Sequence, residues 1–164
     1  MDNNISPRQI SPKSINVFLE ITYGLFSTQD PVIMNGGTVN AGWAITTQNG
    51  RYILKVFSIP LEGGRSIEEE LDLYRHLEKN MVNVPKVLST KDNQVVGNIN
   101  VQNQLFPTIL MKLEQLRRAS PVDISNKEIV VMAKAVANMH CAFQSYDKQL
   151  LVNMIPPWYS TPVS

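Results

Sequence analysis

Four short stretches of this chain carry residue types that could bind or turn over a ligand. The first is Gly36-Gly37-Thr38-Val39-Asn40. Two adjacent glycines let the backbone come close to a ligand and turn its N–H groups toward phosphate oxygens, although a glycine pair between strands also serves as a simple turn. The second is Lys55 in Tyr52-Ile53-Leu54-Lys55-Val56. Strand alternation puts Arg51, Ile53, Lys55 and Phe57 on one face and Tyr52, Leu54 and Val56 on the other. A lysine between Ile53 and Phe57 must either extend its ammonium to an edge or meet an anion.

The third is Glu70. At about 100° per residue Ile67, Leu71, Tyr74 and Leu77 share a helix face, and Glu70 falls on it while Glu68 and Glu69 do not. A carboxylate on an apolar face calls for a partner, and Lys55 on the preceding strand is the nearest cation in chain order. A helix turned by one residue would instead expose Glu70 and leave three acids favouring its N-terminus. The fourth is Leu110-Met111-Lys112-Leu113, an apolar strand end leading to Glu114.

The remaining reactive residues read as structural. His76, near a helix C-terminus, reads as a surface residue. His140 shares a stripe with Ile129, Val136 and Phe143 and reads as a buried, backbone-bonded histidine. Cys141 has no second thiol for a disulfide and reads as a small helix residue, and two histidines with one cysteine make no zinc site.

These residues need positioning elements. Ser11 to Thr28 reads as a helix with Ile15, Phe18, Leu19, Thr22 and Leu25 on one side. Pro31 to Ser58 reads as a meander of three short strands turning at Gln48-Asn49-Gly50. Ser66 with Glu69 is a capping box that opens a helix to about Lys79, and Ser125 with Glu128 opens another to about Tyr146. Between them, Lys86 to Thr90 is extended, Lys91 to Asn93 turns, a hairpin lies around Gly97, and a strand runs from Thr108 to Leu113. The order describes an α+β domain with helices gathered on a mostly antiparallel sheet.

Composition bounds the class of protein. With 164 residues, 43% hydrophobic and 18% charged, the chain is one domain or a large piece of one. A formal net charge of +1 gives no electrostatic case for a nucleic-acid partner. The longest apolar run, Ile129 to Ala133, is far below the roughly 20 residues of a bilayer span, so no membrane partner is expected. The N-terminus has no secretory pattern, and a lone cysteine suits the cytoplasm.

Taken in order, Gly36 to Asn40, Tyr52 to Val56, Glu70 to Leu77, Val84-Pro85-Lys86-Val87 and Leu110 to Leu113 resemble the N-terminal lobe of the aminoglycoside phosphotransferase, choline kinase and homoserine kinase group. Ile129 to Phe143 resembles the first helix of that group's C-terminal lobe. The resemblance covers about Asn35 to Phe143. It implies an N-terminal helical segment (1–30), a kinase-like lobe (31–114), a hinge connection with the first C-lobe helix (115–146) and an irregular tail (147–164).

The resemblance also implies a cofactor, ATP with Mg2+, and roles for the residues above. Gly36, Gly37 and Asn40 would cover the phosphates, and Lys55 would contact the α- and β-phosphates with its ammonium held by Glu70. Ile53 would cover the adenine, and the backbone from Met111 through Leu113 to Glu114 would be the hinge. The group's hinge usually leads into a glycine; here Gln115-Leu116-Arg117-Arg118 follows. The group's catalytic Asp, its following Asn and a second metal-binding Asp have no match after His140, where the only acid is Asp147. The expectation is a nucleotide-binding lobe with no catalytic or metal-binding residues of its own, truncated before the catalytic loop, with weak or absent nucleotide binding when alone. Its partners would be the nucleotide and either a missing C-terminal lobe or a second copy. The alternative is a non-catalytic, kinase-derived binding or regulatory module.

Overall fold

The computed structural model describes residues 5–35, 40–58, 66–113 and 124–146. The chain divides into two compact units, residues 1–62 with 85–116, and residues 63–84 with 117–164.

In the first unit, a short 3-10 turn at Pro7–Gln9 precedes α1 (Pro12–Tyr23). Ser11 caps α1 by accepting from the Ser14 N–H at 3.1 Å, and Pro12 occupies the first turn, where its missing N–H costs nothing. The helix stops at Tyr23, before Leu25 and Thr28, because Gly24 takes a left-handed conformation (φ 68°) and donates back to the last turn. Lys91 completes that end: its Nζ donates to the Glu20 carbonyl at 2.8 Å and its N–H to the Thr22 carbonyl at 2.9 Å. A Cβ on Gly24 would stand 2.9 Å from Lys91 Cε, so both the φ and the close approach require glycine there.

The sheet of this unit has six strands: β1 (Val32–Ile33), β2 (Ala41–Thr47), β3 (Gly50–Val56), β4 (Lys86–Leu88), β5 (Gly97–Val101) and β6 (Gln104–Leu113). Every pairing is antiparallel, in the order β1-β2-β3-β6-β4, with β5 beside the first half of β6. The expected meander is present, turning at Gln48-Asn49, where Thr47 Oγ1 accepts from the Asn49 N–H. The later hairpin turns at Gln102-Asn103 rather than around Gly97. Both turn residues have positive φ (50° and 65°), the geometry of a two-residue turn that matches strand twist. Gly97 begins β5, and β6 starts at Gln104 instead of Thr108.

Alternation gives this sheet two unlike faces. Trp43, Ile45, Tyr52, Leu54, Val56, Ile99, Phe106 and Leu110 form one apolar core with Ile15, Phe18 and Leu19 of α1. Gly42, Ala44, Ile53, Lys55, Ile109 and Met111 belong to the opposite face by register.

The second unit holds α2 (Ile67–Lys79) and α3 (Asn126–Gln144). Both start at the expected capping boxes. Ser66 accepts from the Glu69 N–H while Glu69 accepts from the Ser66 N–H, and Ser125 and Glu128 repeat the exchange. The two histidines behave opposite to expectation. His76 is half-buried: its Nε2–H donates to the Ala142 carbonyl at 2.8 Å, and its ring meets Tyr146 edge-on at 4.8 Å. His140 is exposed, as is Cys141. Nearly every turn of α3 is apolar, so periodicity could not select its covered side. The structure buries only Ala142 in the helix and Tyr146 just beyond it, and Val131 is 60% exposed.

Two stability effects follow. A Cβ on Gly97 would meet Phe18 Cζ and Thr108 Oγ1, both at 2.9 Å, with the Tyr23 hydroxyl at 3.1 Å. Gly97→Ala should therefore destabilise the fold by about 1–3 kcal/mol, read from urea unfolding. His76→Ala removes one hydrogen bond and one ring contact between α2 and the end of α3, an expected loss of about 1–2 kcal/mol. The same unfolding curve should show it, and His76→Gln should recover part.

Candidate nucleotide-binding face

The sequence-predicted residues lie in both units. On the first, antiparallel register aligns two cross-strand rows: Gly42, Lys55 and Ile109, then Ala44, Ile53, Met111 and Val87. Ile53 and Lys55 are half-buried, whereas Tyr52, Leu54 and Val56 are buried against the α1 core. Opposite them Ala44 adds only a methyl, and the Met34 side chain lies over Gly42, its Sδ 3.4 Å from where a Cβ would stand.

Lys55 is held along this face by an aromatic neighbour. Its Nζ sits 4.9 Å from the centre of the Phe57 ring, an attraction between ammonium and ring face. Phe57 itself is buried, and its N–H donates to the Pro107 carbonyl at 2.9 Å. The lysine is thus guided along the sheet.

Asn40, at the end of the glycine-rich segment, is engaged in the scaffold. Its Oδ1 accepts from the Ser58 N–H at 3.1 Å, tying the start of β2 to the end of β3. Gly36 and Gly37 lie outside the described residues. Met111 is buried within the stretch of β6 that has β3 on one side and β4 on the other, so its contribution to this face is its side chain beside Ile53. Leu113, half-buried, is the last residue of β6, and Glu114 lies outside the described residues.

In the second unit Glu70 is half-buried and Glu68 exposed, as the helical spacing requires, while Glu69 is occupied in the cap. One turn beyond Glu70 stands Tyr74, which the sequence reading took only as part of an apolar stripe. Burial, the Glu70 charge and a hydrogen-bonding interaction with that carboxylate together push the Tyr74 phenol up to about 12. The i,i+4 spacing was visible in the sequence; the depth of the phenol was not. Likewise the lone glycine in β2, Gly42, was the available signal for close approach on that face.

The antiparallel sheet with α1, α2 and α3 has the fold of small-molecule kinases. Residues 32–160 match the phosphotransferase enzyme family, and the chain belongs to that family. An amicoumacin kinase solved in complex with AMP-PNP, Ca2+ and Ami is similar at a TM-score of 0.66 and 17% identity, over 90% of this chain and 44% of the kinase. A spectinomycin phosphotransferase solved with ADP and spectinomycin gives 0.63 and 15%, over 90% and 42%. A microcompartment-associated aminopropanol kinase gives 0.60 and 18%, over 82% and 41%. The chain thus spans less than half the length of each. No curated protein sequence matches it. Among the described residues, no helix is long and apolar enough to cross a membrane.

The raised phenols have a measurable signature. Burial also lifts Tyr23 to about 12, with the Thr108 hydroxyl drawing it back in part. For an acid whose folded pKa exceeds the unfolded value, the contribution is complete below the unfolded value near 10 and is lost as pH rises through the folded one. Stability should therefore fall between pH 10 and about 12, and Tyr74→Phe should flatten part of that decline. Ultraviolet titration of tyrosinate beside chemical unfolding at each pH tests both expectations.

Proposed function

We propose that this chain is the nucleotide-facing lobe of an ATP-dependent small-molecule kinase. The observation that carries the reading is the placement of Lys55 on the same sheet face as the apolar cross-strand row of Ala44, Ile53 and Met111, in a chain of the phosphotransferase family. The residues suit a nucleotide: an apolar strip for a purine ring, and next to it an ammonium for its phosphates. When bound, ATP would supply the phosphoryl group for transfer, with Mg2+ bridging its phosphates.

The chain's own residues act by positioning. Ile53 and the Met111 side chain receive the ring, and the Leu113 backbone at the end of β6 offers polar groups to its edge. Lys55 neutralises the α- and β-phosphates. Glu70, whose carboxylate interacts with Tyr74 within its own unit, is the acid that the family resemblance assigns to that ammonium. The family resemblance assigns Gly36 and Gly37 to the phosphates, and Asn40 ties the start of β2 to the end of β3.

In this reading the catalytic base and metal ligands belong to a second lobe. The apolar surface of α3, with Ile129, Val131, Met132 and Val136 all about half exposed or more, suits a helix lying under that lobe. A second reading is a kinase-derived module that binds a nucleotide or protein without turnover.

Thermal unfolding with and without ATP and Mg2+ tests the proposal. Nucleotide at about ten times its dissociation constant should raise the midpoint by roughly 3–8 °C. Lys55→Ala should abolish the rise and Glu70→Gln should shrink it. Absence of any rise in the parent chain would leave only the non-nucleotide module, and steady ATP hydrolysis that survives Lys55→Ala would contradict the assigned roles.

A further inference from the structure

The edge of the sheet formed by β5 has an unused row of backbone groups next to an exposed apolar side of α1. The turn at Gln102-Asn103 makes Val101 and Gln104 a hydrogen-bonded pair, so Ile99 with Phe106 and Gly97 with Thr108 are hydrogen-bonded pairs too. Pro107, which has no N–H to give, sits opposite Asn98 in a non-bonded pair, as this phase demands. The N–H and C=O groups of Asn98 and Asn100 therefore point away from β6. Among the described residues, no other strand pairs with that side of β5.

Beside this edge runs a groove of about 410 Å3, floored by Phe18 and Ile99 and flanked by Lys13, Val17, Ile21 and Asn100. Val17 is 49% and Ile21 68% exposed, which is high for apolar residues lining a sheet edge. Natural edge strands are usually guarded by a charge, a proline or a bulge, and β5 (Gly-Asn-Ile-Asn-Val) has none.

We propose that this edge joins two copies of the chain, β5 against β5, in an antiparallel two-fold pair. The register is self-complementary. With Ile99 on the two-fold axis, the outward groups of Asn98 in one copy meet those of Asn100 in the other, and the reverse pair forms by symmetry. The same operation lays the two α1 helices side by side on one face of the continuous sheet, burying Val17 and Ile21 of each. Lys13 and Glu20, both exposed, lie on the same rim of α1 two turns apart. An antiparallel helix neighbour sets each lysine against the other copy's glutamate, whereas an unrelated peptide would have to supply both charges at that spacing. The inference is independent of the nucleotide reading, because it uses none of the residues assigned there.

Sedimentation velocity across a concentration series tests it, with four substitutions. Asn100→Pro removes an outward N–H and leaves the β5–β6 hydrogen bonds intact. Ile21→Glu places a charge at an exposed helix position with no core role. Each should raise the dimer dissociation constant at least about tenfold. Lys13→Glu and Glu20→Lys should each weaken the dimer, and the double reversal should restore it, a result no folding defect produces. A parent chain that stays monomeric at every concentration overturns the proposal. So does a dimer that is indifferent to Asn100→Pro and Ile21→Glu, since the contact would then lie elsewhere, as on α3.

Discussion

The two-residue alternation of β3 is the constraint on which the rest of the first unit depends. One set of side chains, Tyr52, Leu54 and Val56, is committed to the core under α1. That commitment forces Ile53 and Lys55 onto the opposite face, because a slip of one residue would exchange the two sets. Burying Lys55 in the α1 core would strand a charge among apolar groups at a cost well above any gain from packing its stem. The hydrophobic effect on one face thus determines where the ammonium stands on the other. Neighbouring strands extend the rule through register, bringing Gly42 and Ala44 on one side and Ile109 and Met111 on the other.

The helices solve a different problem, the unpaired polar groups at their ends. Ser11, Ser66 and Ser125 each satisfy an N-terminal donor, and two of the three do so reciprocally with a glutamate three residues on. At the C-termini the solutions are tertiary. Lys91 closes α1 from a turn far along the chain, and His76 donates to a carbonyl near the end of α3. The fixed start of α2 sets the phase of its faces, so that Glu70 and Tyr74 share one side and Glu69 is spent in the cap.

Local signals in the sequence were therefore good guides to where elements begin and poor guides to where chains turn on long-range grounds. The capping boxes and the first meander follow from spacing alone. The hairpin at Gln102-Asn103 was misplaced at Gly97, because two non-glycine residues adopt positive φ there while the glycine serves instead to let Phe18, Tyr23 and Thr108 approach. His140 was read as buried because its stripe is apolar; the helix is apolar on other sides as well, and burial reaches only its last turn.

The sequence by itself determined the elements, their order and the separation of apolar from polar faces, since period, caps and turn chemistry act within a few residues. Tertiary structure alone decided that Asn40 is tied to the end of β3 and that His76 bridges two helices. Among the described residues, it also left no strand on the outer side of β5. Each of these depends on contacts between residues distant in the chain or on which strand neighbours which, and no short-range pattern encodes that.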